Sequence, residues 1–159
     1  MKKTLLTLVF ILLALSSANA QFFNKSDVEI YKNKVEDQAI DLMKDHMDLH
    51  EDQAQIFWPL YKAYRADVDS LMNEELGILE EYLMNYYMLS ERRATKLMGD
   101  ILRYKREKID LKEQYVKIMV KVLPAQIVAR FFQIDTRINL MIQTQTTSKI
   151  PLVRDLDKK

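Results

Sequence analysis

From Ala54 to Leu89 the apolar residues Phe57, Tyr61, Tyr64, Val68, Leu71, Ile78 and Tyr82 follow one another in steps of three, four or seven. Glu75 and Asn85 are the two polar lapses in that register. A side-chain period near 3.5, held over this length, commits the segment to one long helix and excludes a strand, whose period is two. A second stripe follows, through Ala94, Leu97, Ile101, Tyr104, Leu111, Tyr115, Ile118 and Val122, with Lys108 as its polar member. Two glycines and three prolines in 159 residues leave little turn-forming material. The chain therefore reads as all-α with short connections, and short connections between long helices imply antiparallel hairpins.

Four helices are expected, near residues 26–46, 50–88, 90–122 and 124–145. Ser26 and Glu29 suit a capping box ahead of Val28, Tyr31, Val35, Ala39, Leu42 and Met43. Asp48 or His50 caps the second helix, where Glu51 and Asp52 complement the positive end of the dipole. Pro59 falls inside this helix and predicts a kink at residues 55–59, because proline removes a backbone donor and crowds the preceding turn. Ser90 caps the third helix. Pro124 opens the fourth, whose stripe is Ile127, Phe131, Ile134, Ile138 and Met141. The polar run from Thr144 is expected to end the order, leaving residues 146–159 as an extended tail that contains Ile150, Pro151, Leu152 and Val153.

The first twenty residues are read apart from the fold. Lys2 and Lys3 precede an apolar core from Leu5 to Leu15, and Ala18-Asn19-Ala20 is a small-x-small cleavage site. This is the pattern of a cleavable secretory signal, too short for a membrane span. Cleavage after Ala20 leaves 139 of the 159 residues, one domain, in an extracytoplasmic space such as a periplasm. The chain has no cysteine, so neither a disulfide scaffold nor a cysteine-linked lipid anchor is expected. The 22 basic and 23 acidic residues after cleavage argue against a nucleic-acid partner.

Charge is unevenly divided. Glu51–Met88 carries eight acidic and two basic residues, whereas Glu91–Val122 carries ten basic and five acidic. Either the two long helices complement one another, or the second offers a basic face to something outside.

Candidate chemistries are few. A Gly-rich phosphate loop, a nucleophile elbow and a cysteine nucleophile are all missing from the sequence, which holds two histidines. No catalytic residue, enzymatic activity or cofactor is expected. Met43, His46, Met47 and His50 fall at i, i+3, i+4 and i+7, a spacing that could set two thioethers and two imidazoles on one face for a soft metal. Packing and capping are the simpler roles for them. Trp58 and Tyr86 or Tyr87 lie just off the stripe and suit an exposed binding surface. Arg103, Lys105, Arg106 and Lys112 cluster around Tyr104, where long basic side chains can lay their stems along apolar surface.

The phrase Leu49-His50-Glu51-Asp52-Gln53 resembles the LTxxQ signature of the Spy/CpxP-like periplasmic proteins. Leu49 and Gln53 match it, with His50 where threonine is usual. A second copy keeps Leu89 and a hydroxyl at Ser90, with Arg93 for the glutamine, and a third, at Leu123 and Pro124, keeps the leucine and the helix start. The resemblance spans roughly residues 26 to 145. It implies a four-helix hairpin fold, elongated and antiparallel, that dimerises into a thin curved cradle. Family members bind unfolded or misfolded proteins without ATP or inhibit an envelope-stress sensor kinase, and some relatives bind metals. The expectation is an ATP-independent holdase for envelope proteins, with a sensor-docking regulator or a metal-binding protein as alternatives. A homodimer is expected, with Met72, Leu79 and Leu83 near the joint, because a thin hairpin leaves apolar surface exposed.

Overall fold

The computed structural model describes residues 39–147 and 150–154. Four helices and a single 3-10 turn account for nearly all of them, and no strand occurs among the described residues. Helix α1 is described over 39–47, α2 spans Glu51–Asn85, α3 Glu91–Met119 and α4 Ala125–Thr147. The expected capping box at Ser26 and Glu29, and the stripe positions Val28, Tyr31 and Val35, lie outside the described residues.

Each boundary has a local cause. Asp48, at φ 44°, takes the left-handed conformation that aspartate tolerates better than most residues and turns the chain out of α1. His50 and Ser90 then adopt nearly the same extended backbone, φ −66°, ψ 159° and φ −73°, ψ 156°. At the first, the Gln53 side chain reaches back to accept the His50 N–H at 3.1 Å. At the second, the Ser90 hydroxyl accepts the Arg93 N–H at 3.4 Å. The motif's first and fifth letters thus have physical roles: a leucine ahead of the cap and a side chain that closes the cap from the third helical position. Alanine at Ser90 is expected to cost about 0.5–1 kcal/mol, read as a lower urea midpoint at unchanged slope.

Several expected limits move. Helix α2 stops at Asn85 and tightens into a 3-10 turn, Tyr86–Met88. There Asn85 turns its amide onto the Glu81 carbonyl at 2.7 Å, the local competition that makes asparagine a poor helix interior. Helix α3 ends at Met119 rather than at 122, and the Leu123 N–H returns to the Met119 carbonyl at 2.9 Å. Pro124 disfavours helical geometry at Leu123 and sits one residue ahead of α4, its carbonyl accepting from Ile127 and Val128. At the far end α4 runs on to Thr147, two residues into the expected tail, with the Thr144 hydroxyl bonded to the Leu140 carbonyl. Pro59 does not interrupt α2. It lies on the exposed side, as does Gln55, whose carbonyl loses the partner, so water can replace the bond.

The core is concentrated at one end of the α2–α3 hairpin. Met43 and Met47 of α1, Phe57, Tyr61, Tyr64 and Val68 of α2, Tyr115 and Met119 of α3, and Val128, Phe131, Ile134 and Ile138 of α4 form one buried cluster that includes Leu123. Arg130 of α4 donates to the Met47 carbonyl at 3.3 Å and so satisfies an end carbonyl of α1. Beyond Val68, α2 continues for about another 25 Å, where its partner α3 supplies two further buried side chains, Leu97 and Tyr104. Three expected stripe members, Ile101, Ile118 and Val122, are instead exposed, and so is Met141. Ile101 and Ile118 fall on opposite shoulders of the buried stripe, and Val122 lies past the helix end.

Candidate functional site

The α2–α3 seam is held by polar contacts at the positions that broke the stripes. The Tyr104 hydroxyl donates to Glu75 at 2.6 Å, and Lys108 lies 5.8 Å from the Tyr104 ring centroid. Burial, then the bond to Glu75, raises the Tyr104 pKa; burial lowers that of Lys108. Tyr115 donates to Asp67 at 2.7 Å, and burial with that bond pushes its pKa up to about 12. Further along, Arg103 pairs with Glu74 at 2.7 Å and Lys96 with Glu81 at 2.8 Å. Complementary helices therefore account for much of the charge division, although exposed pairs of this kind contribute little each.

The basic cluster expected around Tyr104 does not form one outward face. Tyr104 is 5% exposed, in the seam rather than on a client-facing surface. Arg103 is engaged by Glu74, Asp100 and Glu107. Lys112 turns to Asp135 of α4, with Nζ 2.7 Å from Oδ2. Lys105 and Arg106 stay exposed. Trp58 is half-buried, edge-on to Phe57 and Tyr61 and packed against the core. Tyr86 is half-buried in the 3-10 turn between the rings of Tyr82 and Tyr87.

The four metal candidates separate. Met43 and Met47 are each 1% exposed inside the core, whereas His46 and His50 are exposed. The helix ends at Met47 and turns at Asp48, so His50 caps the next helix and the common face presumed by the i+7 spacing is broken. Of the motif residues, Leu123 is buried, Leu49 packs partly against the core and Leu89 is half-buried; Gln53 and Ser90 act in caps.

Asp135 is a residue the sequence reading passed over. It is 3% exposed, buried beside Tyr64, whose pKa is raised by burial and then by the Asp135 charge. The Lys112 ammonium approaches Oδ2 at ion-pair distance but off the hydrogen-bond direction. The signal was present: Asp135 stands at i+4 from Phe131 and i−3 from Ile138, in the middle of the α4 stripe.

A second apolar line was missed as well. Met98, Leu102, Ile109 and Val116 are all exposed on α3, and Val120, its C-cap, continues the line. At 100° per residue they fall within an arc of about 40°, on a side of the helix away from the buried stripe. Ile109 and Val116 also wall a shallow groove of about 360 Å³ toward Phe132 of α4, rimmed by Lys112, Glu113 and Lys117. Met72, Leu79 and Leu83, expected at a dimer joint, are half-buried on α2, so the more exposed face belongs to α3. No helix among the described residues is long and apolar enough to cross a membrane. Comparisons with known protein families, with curated proteins and with solved structures find no match to this chain.

Proposed function

We propose that the protein is an exported, ATP-independent holdase that shields apolar segments of unfolded envelope proteins along the outer face of α3. The observation that carries this reading is the exposed line from Met98 to Val120, a soft apolar track about 33 Å long with a groove along part of it. Lys105 and Arg106 beside it remain exposed, so acidic clients gain an attraction screened over roughly 8 Å at physiological salt. A track without shape-specific pockets tolerates many sequences, as a holdase must. The test is suppression of aggregation of several unrelated denatured substrates by the purified mature protein. Leu102→Glu with Ile109→Glu, both at exposed positions, is expected to abolish most of the suppression while leaving the melting temperature nearly unchanged. Protection of a single substrate alone would favour a dedicated regulator.

One observation favours a second reading of the same face. The positions 98, 102, 109, 116 and 120 read the same in both directions about Ile109. An antiparallel second copy would set Met98 of each chain on Val120 of the other and Leu102 on Val116. It would also bring Lys105 of each chain opposite Glu113 of the other. Such a homodimer is isologous by construction. Sedimentation separates the readings: the glutamate variant converts a dimer to a monomer if the face is the joint, and leaves the mass unchanged if the face serves clients.

A further inference from the structure

Five large apolar side chains stand apart from all others among the described residues: Leu152 is 88% exposed, Met88 84%, Met84 81%, Tyr87 65% and Val153 64%, whereas the remainder are at 59% or below. All five lie at the tip of the α2–α3 hairpin. Met84 is in the last turn of α2, and Tyr87 and Met88 are in the 3-10 turn. The tail is brought to the same place by two contacts. The Tyr82 hydroxyl donates to the Pro151 carbonyl at 2.7 Å across 69 residues of chain, and the Arg154 guanidinium lies 5.3 Å from the Tyr87 ring centroid. Ile150 and Pro151 are half-buried by this docking, while Leu152 and Val153 point away from cover.

We propose that this hairpin tip docks onto a bilayer surface bearing anionic phosphate headgroups. The end of a two-helix hairpin is convex, and side chains fanning from it enter a deformable apolar phase more readily than a rigid protein surface. Tyrosine is at home at the lipid–water boundary, with its ring in the apolar layer and its hydroxyl at headgroup level. Arginine pairs with phosphate through a planar fork of donors. In residues 84–93 and 150–154, Arg92, Arg93 and Arg154 stand against one acid, Glu91. The sequence beyond, Asp155 to Lys159, adds two acidic and two basic residues and leaves that excess intact. Shallow insertion of methionine, leucine and valine supplies the apolar half of the interaction, and the arginines supply the electrostatic half. The core lies at the opposite end of the hairpin, so docking demands no rearrangement of it.

The test is co-sedimentation of the purified mature protein with vesicles of mixed phosphatidylglycerol and phosphatidylcholine, against vesicles of phosphatidylcholine alone. Binding is expected to the anionic vesicles and to weaken as salt rises. Met84→Glu with Met88→Glu removes apolar insertion, and Arg92→Glu with Arg154→Glu removes headgroup pairing. Each is expected to weaken binding about tenfold or more, with far-ultraviolet circular dichroism unchanged. Equal binding to both vesicle types, no binding to either, or binding undiminished in the two variants overturns the proposal. So does a tip variant that keeps vesicle binding and loses aggregation suppression, which would mark the tip as a protein-binding surface. The α3 variant Leu102→Glu with Ile109→Glu should retain vesicle binding, so this inference stands or falls separately from the holdase reading.

Discussion

Lys112→Ala is expected to lower the free energy of unfolding by about 3 kcal/mol, whereas Lys112→Met combined with Asp135→Leu should return it to within about 1 kcal/mol of the parent or above it. The contrast follows from where the two charges sit. The Asp135 side chain is 4% exposed and that of Lys112 is 29% exposed, so the lysine keeps some water and the aspartate almost none. Removing the lysine leaves an uncompensated carboxylate in the core, beside the Tyr64 phenol. Replacing both removes the desolvation cost together with the attraction, and restores apolar volume between α3 and α4. The pair is accordingly a weak source of stability and a strong source of register: it fixes which turn of α4 meets which turn of α3. Urea unfolding followed by the fluorescence of Trp58, the one tryptophan, measures both variants against the parent. A Lys112→Ala variant as stable as the parent would mean that Asp135 finds other compensation.

That ion pair also marks where sequence reasoning reached its limit. Period and capping residues were sufficient to place α2, α3 and α4, because both are local and each is visible within one or two turns. They also placed Phe57, Tyr61, Tyr64 and Phe131 in the core. Helix ends were less legible, since the shortening of α3 to Met119 depends on Pro124 acting through Leu123, and Asn85 acts through a side chain that competes for backbone. Partner choice was not legible at all. Lys112 and Arg103 look alike in a basic run, yet one reaches across to a buried aspartate and the other to a half-buried glutamate. The exposed line on α3 was readable in principle from its spacing of four, seven, seven and four. It was overlooked because the stronger aromatic stripe on the same helix claimed the buried face.

Phe131→Ala is expected to have a large effect, a loss of about 3–5 kcal/mol from the usual range for deleting a fully buried ring. Phe131 is 0% exposed, and its ring meets those of Phe57 at 5.5 Å, Tyr64 at 5.3 Å, Tyr61 at 6.0 Å and Phe132 at 4.5 Å. Three of these neighbours belong to α2 and are held by the rigid first half of a 35-residue helix, so the site cannot collapse easily around the missing ring. The cavity therefore persists and adds its own cost to the lost transfer energy. Domains of this size are stable by only about 5–15 kcal/mol, so a large share of the total is at stake. Phe132→Ala, at a half-buried neighbour, should cost distinctly less, because water can reach the vacated space. The two variants also separate packing from helix formation. Phe131→Ala should keep its far-ultraviolet helical signal at low temperature, lose near-ultraviolet aromatic ellipticity and melt early. A variant with unchanged aromatic ellipticity and an unchanged melting temperature would show that α4 is not held to α2 by this ring cluster.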